Sequence, residues 1–205
     1  MEQLENMEFG KNYENSEKIS STGYRGIRRT IKDSKLTIPI LRAIKILMEE
    51  GYNNIGLFPP MVNSVTEYKK WLNILKNQKL NKLHLGLMVE TPRSALMIEE
   101  FFPYIKFVVF GLNDLTSFLL AVDRNNLNIR DLFNENDKVI INTLVGAISK
   151  CKKKNIQTYL SGTLTENSSS LKKLFKSGLT GVTVNPDIRT INKVKKIIFN
   201  IENNM

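Results

Sequence analysis

The sequence predicts an α/β fold, a parallel sheet with helices outside it. Three observations carry that expectation. Short apolar segments of β character alternate strictly with segments of helical periodicity. Gly51 and Gly178 stand where helices would have to stop. Each strand-like segment ends abruptly in polar residues, glycine or proline.

The elements follow in order. Residues 1–22 are rich in Glu, Asn, Ser and Lys and read as a polar N-terminal arm. Residues 23–33, GYRGIRRTIKD, mix glycine with three arginines and suggest no element. Over 38–50, Ile40, Leu41, Ile44, Leu47 and Met48 recur at helical spacing. A strand at 54–58 runs into Pro59-Pro60. SVTE at 64–67 is a capping box that opens a helix over 64–75, with Val65, Tyr68 or Lys69, and Leu72 on one face. Strands follow at 83–89, 107–111, 156–160 and 181–184. Helices are expected at 94–102, 115–122, 138–153, 168–177 and 190–201. Right-handed crossovers would join the strands, and nothing marks a second domain between 23 and 205.

Composition narrows the function. The chain has 205 residues and 41% hydrophobic residues, enough for one domain with a real core. No apolar run approaches a membrane span, and no basic-then-apolar leader opens the chain, so the expectation is a cytoplasmic protein with no membrane partner. Cys151 and His84 are the sole residues of their kinds, which excludes an internal disulfide and the usual zinc sites. The net charge of +10 comes from lysines scattered along helix-like segments without interleaved aromatics. That is the pattern of solvated helix faces, so no nucleic-acid partner is expected. A positive field does suit a small anionic substrate.

In a parallel α/β protein the site lies at the carboxyl ends of the strands. Here those ends carry Glu90-Thr91, Asn113-Asp114, Ser161-Gly162-Thr163 and Asn185-Pro186-Asp187. Ser161, Thr163 and Asp187 either face this mouth or cap the next helices. Glu90 and Asp114 directly follow apolar strand cores, where a carboxylate is costly unless paired. A metal ion would pair with them, and a helix cap would serve Asp114 equally well.

Several stretches then fall in a familiar order. GYRGIR (23–28), FPPMV (58–62), GLMVETPRSA (86–95), FGLNDLT (110–116), LAVDR (120–124) and VNPD (184–187) together resemble the C-terminal phosphoenolpyruvate/pyruvate-binding barrel of the phosphoenolpyruvate-utilising enzymes. That family includes phosphoenolpyruvate synthase, pyruvate phosphate dikinase and enzyme I of the sugar phosphotransferase system. The resemblance covers about residues 22–198 and implies a (β/α) barrel, truncated here at its N-terminal strands. It implies that Glu90 and Asp114 bind Mg²⁺, that Asn113 touches the phosphoryl group, and that Arg25 and Arg124 bind phosphate. Arg28 either shares that work or forms a salt bridge. Hard carboxylate oxygens suit magnesium, and guanidinium forks suit phosphate.

Three departures from the family pattern qualify this. Ser161 stands where the family carries a cysteine held to exchange a proton with the methyl carbon of enolpyruvate. An alcohol is a far weaker acid than a thiol, which titrates at about 8.5. A complete eight-unit barrel needs about 250 residues, and five strands are counted here, so either a homo-oligomer or a partner supplies the rest, or the chain folds into a smaller, rearranged sheet. No phosphohistidine or nucleotide-binding segment is recognisable in the sequence, and His84 reads as a structural histidine. Three functions stay open: a phosphoenolpyruvate/pyruvate-binding part of a synthase-like phosphotransferase, a non-catalytic regulatory or assembly relative, or a small metal-dependent lyase acting on a 2-keto acid.

Overall fold

The computed structural model describes residues 22–80 and 82–203. Five strands, β1 (Gly56–Leu57), β2 (His84–Val89), β3 (Phe107–Gly111), β4 (Gln157–Ser161) and β5 (Gly181–Thr183), form one parallel sheet in the order β1-β2-β3-β4-β5. An order that never reverses keeps every right-handed crossover on the same face of the sheet, whereas a doubly wound sheet needs a reversal. This is the winding of a barrel wall, and the outer edges of β1 and β5 are unpaired among the described residues.

The helices are α1 (Ile27–Lys32), α2 (Thr37–Glu49), α3 (Val65–Asn77), α4 (Pro92–Leu96), α5 (Leu112–Leu120), α6 (Lys138–Lys153), α7 (Ser168–Ser177) and α8 (Ile188–Glu202). The capping box at Ser64 and Glu67 forms with both of its hydrogen bonds. Gly51 and Gly178 turn left-handed at the ends of α2 and α7, at φ 98° and 114°.

Alternation along the strands separates two layers. Leu87, Val89, Val108, Phe110 and Leu160 are fully buried on one face, in the core with Tyr68, Leu75, Leu144 and Leu171 from the helices. The other face carries Gly86, Met88 and Glu90 of the β2 segment, Phe107, Val109 and Gly111 of β3, and Tyr159 and Ser161 of β4. Register aligns these in rungs: Gly86 with Phe107, Met88 with Val109 and Tyr159, and Gly111 with Ser161 and Thr183. The uppermost rung, at the carboxyl end, therefore holds the polar residues.

Several expectations need correction. The arginine-rich stretch contains α1. On α3 Tyr68, Trp71 and Leu75 are buried, and Val65 and Leu72 are half-buried against the core, so the expected face is extended by Trp71 and Leu75; Tyr68 gathers Trp71 and Phe101 at ring-centroid distances of 5.3 and 5.8 Å. On α2 Leu41 is buried, but Ile40 and Leu47 are exposed. The helix expected over 94–102 is α4 followed by a 3-10 helix, Ile98–Tyr104, which suits the interruption by Pro103. α5 begins at Leu112, directly from β3, and stops at Leu120 where Ala121 turns left-handed. The polar arm, residues 1–22, lies outside the described residues except for exposed Thr22.

Candidate functional site

Three loops are stitched together before any side chain reaches the mouth. The Ile27 N–H donates to the Pro60 carbonyl at 2.9 Å, fixing the start of α1 against the loop after β1. Gly26 makes this approach possible. Its φ is 57°, and a Cβ there would lie 2.7 Å from both Pro60 O and Met61 Cβ. Met61 is itself left-handed, at φ 57°, which aims its N–H at the Glu90 carboxylate. Thr91 then donates to Val62 O at 3.1 Å and caps α4 by accepting the Ser94 N–H.

Glu90 sits at the centre of this stitching and is 1% exposed. Its Oε1 takes the Met61 N–H, and its Oε2 lies against Gly111, 2.9 Å from where a Cβ would stand. Gly111 thus leaves room for the carboxylate between two strands. Burial pushes the Glu90 pKa up to about 7; the Met61 hydrogen bond opposes the rise, the Asp114 charge adds to it, and Arg25 and Arg124 oppose it. Glu90, Asp114, Arg25 and Arg124 therefore share one electrostatic neighbourhood.

Asp114 lies in the first turn of α5, and the N-cap is Gly111, with no side-chain capping bond. The capping explanation for Asp114 is thereby removed. Its Oδ1 meets Arg25 Nη1 at 3.5 Å, both side chains being largely shielded. Arg124 follows α5 on an exposed turn. Arg28 is drawn elsewhere: its Nε donates to Glu67 Oε1 at 3.1 Å, and Nη1 to Thr22 O. Asp187 is an N-cap, accepting from Arg189 and Thr190 at the start of α8.

Beside the carboxylates opens a cleft of about 240 Å³ lined by Asn113, Ser161, Thr163, Thr183, Asn185 and Thr190, among others. Its wall is neutral and rich in hydroxyls and amides. Asn113 is exposed into it, one residue from Asp114. Cys151 is buried on α6, and burial pushes its thiol up to about 12, so it offers no substitute acid to this mouth. His84 opens β2 on the exposed side, at the opposite end from Glu90.

The donor set fits a hard divalent cation. No group of three or more His, Cys, Asp or Glu residues that could hold a metal occurs among the described residues. Magnesium does not need one, since it commonly takes one or two carboxylates and fills its octahedron with water and substrate oxygens. Glu90 and Asp114 are two carboxylates of the kind such an ion can take. Pattern reasoning missed two contributors: the backbone N–H of Met61, and Glu135, a buried carboxylate reached from the loop before α6. The Met61 N–H has no side-chain signal. Glu135 lies in the polar run Asn134-Glu135-Asn136-Asp137, which reads as an ordinary exposed loop.

Residues 2–203 match the PEP-binding domain of PEP-utilising enzymes. A probable phosphoenolpyruvate synthase of Archaeoglobus fulgidus is 35% identical over 88% of the chain and 24% of its own length. A probable phosphoenolpyruvate synthase of Methanocaldococcus jannaschii is 34% identical over 97% of the chain and 18% of its own length. The phosphoenolpyruvate synthase of Pyrococcus furiosus is 32% identical over 85% of the chain and 22% of its own length. The chain thus spans about a fifth to a quarter of the curated relatives it matches. No helix among the described residues is long and apolar enough to cross a membrane.

Proposed function

Because the chain belongs to the PEP-binding domain family of the PEP-utilising enzymes, we propose that its strand-end mouth binds phosphoenolpyruvate or pyruvate at a magnesium ion, as the binding part of a synthase-like phosphotransferase. One observation carries the reading. A fully buried carboxylate, Glu90, shares its surroundings with Asp114 and Arg25 in a place where neither carboxylate caps a helix. Two carboxylates kept together at a strand mouth call for a cation.

Glu90 Oε2 and Asp114 are the ligands offered to the ion, while Glu90 Oε1 stays on Met61. Bound there, magnesium would stabilise negative charge on the enolate oxygen of the substrate. Arg25 and the exposed Arg124 supply guanidinium groups to carboxylate or phosphate oxygens, and Asn113 offers an amide at the border of the neutral cleft. Arg28 is assigned to holding the arginine loop on α3 through Glu67. Ser161 supports a second reading, a relative that binds the ligand without exchanging its methyl proton, because a serine hydroxyl is a poor proton donor at neutral pH.

Calorimetry with oxalate, which imitates the pyruvate enolate, tests the proposal. Oxalate should bind only with magnesium present, and Asp114→Asn and Glu90→Gln should each abolish binding while the far-UV circular dichroism stays that of the wild type. Binding that ignores magnesium, or that survives Asp114→Asn, would remove the metal site.

A further inference from the structure

The loop that carries Ser161 is held from an unexpected direction. Glu135 stands in the turn before α6 and is 5% exposed. Its Oε2 accepts the Thr163 hydroxyl and the Leu164 N–H, each at 2.7 Å. Its Oε1 accepts no hydrogen bond among the described residues and points at Gly162, 3.2 Å from where a Cβ would be. Gly162 has φ 146°, and the same Cβ would lie 2.7 Å from Leu112 Cβ, so the loop is wedged between the start of α5 and the Glu135 carboxylate. Leu164, 1% exposed, anchors the far side. The same turn is also tied to α7, which follows the loop, by Ser170 Oγ donating to Asn136 Oδ1 at 2.8 Å.

A buried carboxylate with one oxygen left unserved is an expensive way to hold a loop, and an apolar contact would serve stability better. What the charge adds is direction. Two donors from consecutive residues converge on one oxygen, and charge-assisted bonds fix both. We infer that Glu135 is a positioning residue that sets the 161–164 loop and so presents Ser161 to the cleft it shares with Asn113. The inference rests on the proposed reading only for what that cleft receives; the clamp itself can be read without a ligand.

The test uses the full chain carrying Ser161→Cys, whose introduced thiol faces the cleft, while Cys151 stays buried and silent. Iodoacetamide alkylation of that thiol and hydrogen exchange at the Leu164 N–H report the loop. Trp71 fluorescence, from the distant core of α3, reports the global fold. Glu135→Ala should change both loop rates about tenfold, the scale of a lost bond to a charged group. Glu135→Gln should change them less, because its amide oxygen accepts the same two donors without the charge. Thr163→Val, which removes one donor, should fall between. Parent rates in Glu135→Ala would overturn the inference. If that variant fails to fold, parent rates in Thr163→Val would overturn it equally. Loss of magnesium-dependent oxalate binding in the wild type, with the loop rates behaving as expected, would sink the ligand reading and leave the clamp standing.

Discussion

Arg25 and Asp114, 89 residues apart in the chain, bring Nη1 and Oδ1 to 3.5 Å at the mouth of the sheet. The separation is long for a charge-assisted hydrogen bond, so the two are held as neighbours rather than locked. On the proposed reading, Asp114 would turn an oxygen to the cation and Arg25 would turn to the ligand. The backbone of the arginine loop, pinned by Ile27 to Pro60, fixes where the two side chains meet.

Arg25→Gln should therefore cost stability as well as affinity. It leaves Asp114, 8% exposed, with a buried charge that has lost its partner, an effect of about 1–3 kcal/mol. Adding Asp114→Asn should recover much of the loss. Urea unfolding of the two single variants and the double variant checks this, and additive costs would mean that the pair is not coupled.

Glu90 sets a pH dependence opposite to that of most carboxylates. Burial raises its folded pKa to about 7, above the ordinary 4.5. Between those values the folded chain keeps a proton that the unfolded chain has released. Stability from this group is thus full below pH 4.5 and is lost as pH rises through about 7, by on the order of 3 kcal/mol. Denaturant midpoints at pH 5 and pH 8 in the absence of magnesium should show the fall. Glu90→Gln should flatten it, and saturating magnesium should offset it by binding the ionised form.

Gly86→Ala should destabilise through crowding, not through backbone strain. A Cβ at Gly86 would stand 2.4–2.7 Å from three atoms of the Phe107 ring on the inner face of the sheet. Overpacking of this kind costs about 1–3 kcal/mol. Phe107→Leu in the same chain should return part of it, and thermal melts of the pair check the recovery.

These particulars show what the sequence could and could not disclose. All five strands were legible because alternation and apolar runs are local signals. The capping box and the stops at Gly51 and Gly178 were legible because each is local stereochemistry. α1 was hidden because six residues with four polar side chains carry almost no periodicity. Its first N–H is met by a tertiary bond, from Ile27 to Pro60, that the sequence does not announce. The immediate passage from β3 into α5 was hidden for a related reason: Gly111 needs no loop to make the turn, so Asn113 and Asp114 lie inside a helix rather than before it. At the mouth, residue types pointed to Glu90 and Asp114, and the family resemblance to Asn113 and Arg25; the structure places Arg25 beside Asp114. The Met61 N–H and the reach of Glu135 depend on backbone geometry, which residue type does not encode.

The open edges predict association. β1 and β5 present unpaired strand edges among the described residues, and Phe58, Ile40, Ile46 and Leu47 are exposed. Edges of this kind are protected in stable proteins by covering or pairing. Sedimentation across a wide concentration range should show a concentration-dependent increase in mass. Charged substitutions at Ile46 and Leu47 should suppress it, and a strict monomer at all concentrations would count against self-association.

The unreversed strand order has a consequence for how the molecule tolerates change. Every strand pairs with its neighbour in sequence, so the sheet is quasi-one-dimensional, and contacts between units seldom reach beyond the next unit. Such an architecture can gain or shed a unit at either end without rethreading the rest. Glu90, Asp114 and Ser161 all belong to the segments at β2, β3 and β4, the three interior strands. Fraying, docking or growth at an edge would leave their mutual register intact. Arg25 is the exception: its segment is pinned to the loop after β1 while its side chain meets Asp114, so events at that edge can reach the mouth through it.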